Sequence, residues 1–126
     1  MYYNKPLECL QAQGMENSAI SDEQITASSQ YSADNAAHQG RLHLQKTATK
    51  SGGWVAATSD VNQWLQIDLR SLCTKVTRVA SQGRNGVDCI DWVTNYMLQY
   101  GNDGVNFHYY REQGETADKV QVTRWQ

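Results

Sequence analysis

Apolar residues recur along the chain in short runs and alternations, each bounded by Gly, Asn, Asp or Ser. That rhythm is the signature of short strands joined by turns. The clearest predicted strands are 64–68 (WLQID), 75–80 (KVTRVA), 93–100 (VTNYMLQY), 107–111 (FHYYR) and 120–125 (VQVTRW), with weaker segments at 25–28 and 53–56. In WLQID large apolar and polar residues alternate, as they do on a strand with one face buried. The expected core is Trp64, Ile67, Val76, Val79, Trp92, Tyr96, Leu98 and Tyr100. Between two of the strands, 101–106 (GNDGVN) is rich in residues that tolerate positive φ and reads as a hairpin loop. Its Asx content lacks the acidic spacing of an EF-hand. The segment 32–38 (SADNAAH) fits either one helical turn or an irregular loop, and the only proline, Pro6, lies near the start.

Length sets the scale of what these strands can build. At 126 residues the chain closes one hydrophobic core and not two, so it is read as a single domain, 1–126, with an N-terminal tail at 1–8. A formal charge of -2 supplies no global positive field, which argues against mainly phosphate-driven binding of nucleic acid or anionic lipid. No run of about 18 apolar residues provides a transmembrane segment, and residues 1–10 lack the charged-then-apolar pattern of a signal peptide. No Asn-X-Ser/Thr sequon occurs.

Three cysteines, Cys9, Cys73 and Cys89, form neither a CxxC pair nor a zinc spacing. With 74–81 as one strand, Cys73 and the Cys89 loop lie at opposite ends of about 25 Å of chain. A disulfide needs Cα atoms within about 7 Å, so that pair is disfavoured unless the loop folds back. Cys9 with Cys73 is the more reasonable internal guess, which the sequence leaves open; Cys89 would then be a loop thiol, free or available to another chain.

Catalytic apparatus is missing from the pattern. There is no GxSxG elbow, HExxH helix, P-loop or dinucleotide fingerprint. Asp34 and His38, four apart, could be read as an acid/base pair, but no nucleophile accompanies them. His43, within Arg41-Leu42-His43-Leu44, reads as an alternating strand residue. The chain is read as non-enzymatic.

Four blocks carry a family resemblance. The string GMENSAISDEQITASS at 14–29 resembles the opening of discoidin (coagulation factor 5/8 type C) domains. The others are Trp54 with NQWLQIDL at 62–69, VTRVASQGR at 76–84 with DWVTNY at 91–96, and LQY at 98–100 with the Asn102-Asp103-Gly104 turn, Phe107, Tyr109 and Tyr110. The resemblance implies an all-β, galactose-binding-like jelly-roll sandwich of antiparallel strands. It also implies two further strands and a closing cysteine that pairs with the first. Here Arg124-Trp125-Gln126 ends the sequence, so the domain is expected to be C-terminally short by about a fifth of an ordinary domain, with an open sheet edge suited to pairing.

The same resemblance places ligands on loops at one end of the sandwich, by position 30–39, 46–53 and 84–91. In neuropilin-type members the equivalent of Ser29-Gln30-Tyr31-Ser32 lines the pocket. Sugars present both C–H patches and hydroxyls, so an aromatic face among planar hydrogen-bonding groups suits them. Tyr31, Asp34, Asn35, His38, Arg84 and Asn85 supply that mixture and are the candidate ligand-binding residues. Arg84 is alternatively a tie between loops, because a bidentate guanidinium joins carbonyls and carboxylates well. Trp54 is expected as core or cleft wall.

The implied function is an extracellular, secreted or cell-surface recognition and adhesion module that binds glycans or glycoproteins of the cell surface or matrix. A protein–protein or homo-oligomeric assembly role is the alternative, and peripheral binding to phospholipid head groups a third. The head-group reading draws on Val87 and Ile90 as apolar loop residues. No cofactor is assigned. For a structural calcium ion Asp22, Glu23 and Asp34 are candidate oxygens, and the sequence does not bring them together.

Overall fold

In the computed structural model, residues 12–70, 74–84 and 91–122 are described. Cys9, Cys73, Cys89, Asn85, Val87, Ile90 and the 1–8 tail lie outside them, and with them the cysteine pairings.

The N-terminal half is organised by one glutamine. A single 3-10 turn, Asp22–Gln24, leads into β1 (Ile25–Ala27). Gln24 is buried, and its side-chain oxygen accepts the Ser21 N–H at 2.9 Å while its amide donates to the Asp68 carbonyl at 2.7 Å. Asp68 N–H returns a bond to the Gln24 carbonyl at 2.8 Å. The entry to β1 is thereby stapled to the exit of β2 (Leu65–Ile67), which fixes the antiparallel register Ile25↔Ile67 and Ala27↔Leu65. In strands, β-branched residues fill such cross-strand positions well. Beyond the ladder, Ser28 N–H reaches the Trp64 carbonyl at 3.0 Å.

Ile20 and Ile25, each 4% exposed, are the buried apolar centre among the described residues. Arg41 packs beside them, its side chain 7% exposed. Its guanidinium donates to the carbonyls of Ile20 at 2.8 Å and Met15 at 3.2 Å and to Asp22 Oδ1 at 2.5 Å. Burying a cation requires this kind of complete partnering. The segment around it is a turn: His43 has φ 58°, in the left-handed region, and Leu44 N–H bonds the Arg41 carbonyl at 3.4 Å. The alternating strand expected at His43 is therefore absent, because Arg41 must turn inward to reach three oxygens.

Two further ladders occur among the described residues. β3 (Asn95–Met97) pairs antiparallel with β6 (Val120–Val122), and β4 (Gln99–Tyr100) with β5 (His108–Tyr109). The Tyr100 and His108 rings lie 6.0 Å apart across the second. The hairpin loop expected at 101–106 joins β4 to β5, held by Asp103, which accepts the N–H groups of Val105 at 2.9 Å and Asn106 at 2.7 Å. These bonds hold the Asp103 carboxyl at about 2, below its usual value.

The expected core is only partly realised. Trp64, Ile67, Val76, Val79, Trp92 and Tyr100 are exposed, and Tyr96 and Leu98 half-buried. Alternation marks which face of a strand is apolar, but burial needs a second layer across that face. Each ladder here is two strands wide, and 75–80 forms no ladder among the described residues. The weaker segment 53–56 also forms no strand, although Val55 accepts the Tyr31 N–H at 2.8 Å.

Candidate functional site

Two loops face each other across a polar cleft of about 180 Å³. One wall is the 3-10 turn Ala33–Asn35, contributing Ser32, Asp34 and Asn35. This resolves the open reading of 32–38 as short 3-10 turns, the next being Ala37–Gly40. The other wall contributes Lys46, Thr47, Ala48, Lys50 and Ser51.

Main-chain bonds hold the walls together. Ser51 N–H donates to the Asp34 carbonyl at 3.1 Å, and Val55 N–H to the Asn35 carbonyl at 3.3 Å. The second loop closes on itself through Thr47 N–H to the Lys50 carbonyl at 2.9 Å. It then turns at Gly52, whose φ of +72° leaves no space for a side chain: a Cβ there would sit 2.7 Å from Lys46 N.

Asn35 is the keystone of this arrangement. It is 6% exposed, accepts from Ser32 Oγ at 2.8 Å and donates to Ser51 Oγ at 2.7 Å. Its partners are all within the protein, so it shapes the cleft wall more than it offers hydrogen bonds to a ligand. Asp34, exposed, presents a carboxylate opposite the ammonium-bearing loop of Lys46 and Lys50. The lining is thus hydroxyls, one acid and two bases, a set that hydrogen-bonds oxygen-rich ligands.

The other candidates lie apart from the lining. Tyr31 is 72% exposed next to the first wall, its backbone bonded to Val55. His38 sits half-buried in the turn Ala37–Gly40 and helps hold down the Asp22 carboxyl, which Arg41 lowers most through its hydrogen bond. Arg84 packs against Gly53 and pairs with Asp91 at 2.8 Å. Trp54 is half-buried, with its indole N–H donating to the Ser29 carbonyl at 2.8 Å, which makes it a wall and not a platform. Asp22, Glu23 and Asp34 form no metal-holding cluster among the described residues. A second cleft, of about 280 Å³, is lined by Glu112, Glu115, Asp118 and Lys119, of which Lys119 pairs with Glu112 at 2.9 Å and Asp118 with Arg111 at 2.6 Å.

Comparison with known proteins decides the family. The F5/8 type C domain matches residues 24–125. The chain belongs to the F5/8 type C family. Rat lactadherin is 37% identical over 112 residues, covering 84% of this chain and 25% of that protein. The human EGF-like repeat and discoidin I-like domain-containing protein 3 is 35% identical over 118 residues, 89% of this chain and 24% of that protein. Pig coagulation factor V is 35% identical over 133 residues, 94% of this chain and 6% of that protein. The chain therefore spans about a quarter or less of these relatives. The F5/8 type C fold is an all-β sandwich, and the family's members are binding modules and not enzymes. Among the described residues the strand pairs are all antiparallel, and no helix is long and apolar enough to cross a membrane.

For an F5/8 type C module the cleft falls between the first two loops that the sequence nominates. Within it, the sequence singles out Asp34 and Asn35 as site residues and includes Ser32 in the stretch that the resemblance places at the pocket, but passes over Thr47 and Ser51. A signal exists for the last, since Ser51-Gly52-Gly53 demands a tight turn that would bring Ser51 against a neighbouring loop.

Proposed function

We propose that this module recognises glycans of the cell surface or matrix, outside the cell, through the cleft between residues 32–35 and 46–51. The observation that carries this is a hydroxyl- and ammonium-lined cleft whose first wall begins at Ser32, next in the chain to Tyr31, a tyrosine left 72% exposed. A sugar ring uses both: its hydroxyls bond Asp34, Lys46 and Lys50, and its C–H face packs on an aromatic. Lys46 and Lys50 favour a sugar with an acidic substituent. Names such as coagulation factor among the relatives support an extracellular setting.

The test is a glycan array on the folded chain with and without a chelator. Saturable binding to a restricted set of sugars is expected, lost in Tyr31→Ala at unchanged melting temperature. Binding lost in the chelator lane would mean that an ion supports the loops. A blank array with sedimentation on phosphatidylserine vesicles would move the reading to phospholipid head groups.

A second reading has its own observation. Val76, Val79, Trp92, Val93, Met97 and Tyr100 are each at least 41% exposed, and large exposed apolar surface marks contact sites. A protein partner or a second copy of the chain would cover it, and sugar-insensitive oligomers in sedimentation would favour that role.

A further inference from the structure

Arg84 is placed between two things it holds. On one side its alkyl stem lies over Gly53, so closely that a Cβ at that glycine would be 3.0 Å from Arg84 Cγ and 3.2 Å from its Cβ. On the other side, its guanidinium pairs with Asp91 at 2.8 Å and its main-chain N–H bonds the Asp91 carbonyl at 3.0 Å. The side chain is 17% exposed, held along its stem by Gly53 and at its end by the Asp91 carboxylate, which limits its rotation.

Gly53 is in turn the anchor of the cleft. Its carbonyl accepts Ser51 Oγ at 2.7 Å and the Asn35 amide at 3.5 Å, and the same two side chains bond each other at 2.7 Å. A continuous path of contacts therefore runs from Asp91 through Arg84 and Gly53 to Ser51 and Asn35, one residue from each wall of the cleft. Asn35 is buried and Ser51, Gly53 and Arg84 are half-buried, so displacement passes along this packed stretch.

We propose that Arg84 is a positioning residue for the cleft: fixed by Asp91, it presses on Gly53 and so sets the placement of Ser51 and Asn35. It acts without touching the ligand, which distinguishes it from the candidate ligand contacts. The proposal rests on the cleft being the ligand site, and it makes the Arg84–Asp91 pair a determinant of what the cleft accepts.

The test uses the full chain, labelled for solution NMR, without any ligand. Three variants approach the path from different points. Gly53→Ala pushes a methyl into Arg84, Arg84→Met keeps the stem but removes the ion pair, and Asp91→Asn leaves Arg84 intact but unanchored. The expected result is that all three shift the Asn35 side-chain amide and the Ser51 N–H signals, and that Gly53→Ala also shifts Asp91. A merely structural Arg84 would lower the melting temperature while those signals stay in place, as would changes confined to sequence neighbours, and either result overturns the proposal. A parallel titration with sialyllactose separates the two readings. Loss of affinity in the variants of about tenfold, the scale of a contacting pair's coupling, supports both. Wild-type protein that binds no sialyllactose while the NMR shifts occur weighs against the glycan reading alone and leaves the positioning role standing.

Discussion

Replacing Arg41 by Met removes a buried cation and keeps most of its volume. Three bonds disappear, to the Ile20 and Met15 carbonyls and to Asp22. The Ile20 carbonyl, in the buried centre, is left without its donor, a loss of about 1–3 kcal/mol. The Asp22 ion pair adds about 1 kcal/mol at most, because that carboxylate is 57% exposed and screened by water. Relief of the cost of burying the guanidinium offsets part of this. The balance is a destabilisation of about 2–3 kcal/mol, or about 10 °C in melting temperature for a domain of this size. Circular dichroism melts at neutral pH measure it. The pH dependence is a second check. Asp22 titrates below its ordinary value of 3.8 because Arg41 donates to it. A depressed folded-state value means stability that is present above 3.8 and lost as pH falls through the lowered value. The gap between wild type and variant should therefore narrow once the pH drops below that ordinary value. A shift of under about 4 °C, or a gap that does not narrow, would refute the idea that Arg41 is the polar hub of this half.

Three further predictions follow from other contacts. Gly52→Ala, forced into a left-handed conformation against Lys46 N, should cost about 1–2 kcal/mol by thermal unfolding and weaken any cleft ligand. Trp54→Phe, which leaves the Ser29 carbonyl without its indole donor, should destabilise by about 1 kcal/mol in urea melts, and no change would mean that water replaces the bond. In an NMR pH titration Asp103 should report a midpoint of about 2, so the loop it closes should hold above its ordinary value of 3.8 and loosen as pH falls through about 2; a midpoint near the ordinary value would refute the Asx closure.

What the sequence made legible was whatever depends on local chemistry. Strand β2 falls inside WLQID and β4–β5 flank the GNDGVN loop, because alternation and turn residues act within a few positions. The strand rhythm pointed to the all-β class for the same reason, and the family resemblance implied it separately. What escaped was anything set by a distant partner. His43 alternates like a strand residue, yet Arg41 bends that segment inward to oxygens at Met15, Ile20 and Asp22, none of which is near it in the chain. Asn35 reads from sequence as a loop contact for a ligand, and in the fold its side chain also bonds Ser51, sixteen residues away. Arg84 admitted two readings from sequence, and Gly53 and Asp91 favour the tie between loops.

These cases share one physical cause. A polar residue in a loop is ambiguous until its hydrogen bonds are counted, because the same donors and acceptors serve a ligand or the fold, but not both at full strength. Applied to the cleft, that criterion sorts its residues. Asn35 and Ser51 bond each other and the Gly53 carbonyl, so they belong to the scaffold. Asp34 is engaged through its main chain at Ser51, which leaves side-chain chemistry for recognition. A substitution at Asp34 should then alter which ligands bind while leaving the melting temperature in place, whereas one at Asn35 should alter both. If both substitutions moved stability equally, the division between scaffold and contact would be wrong, and the cleft would be part of the fold alone.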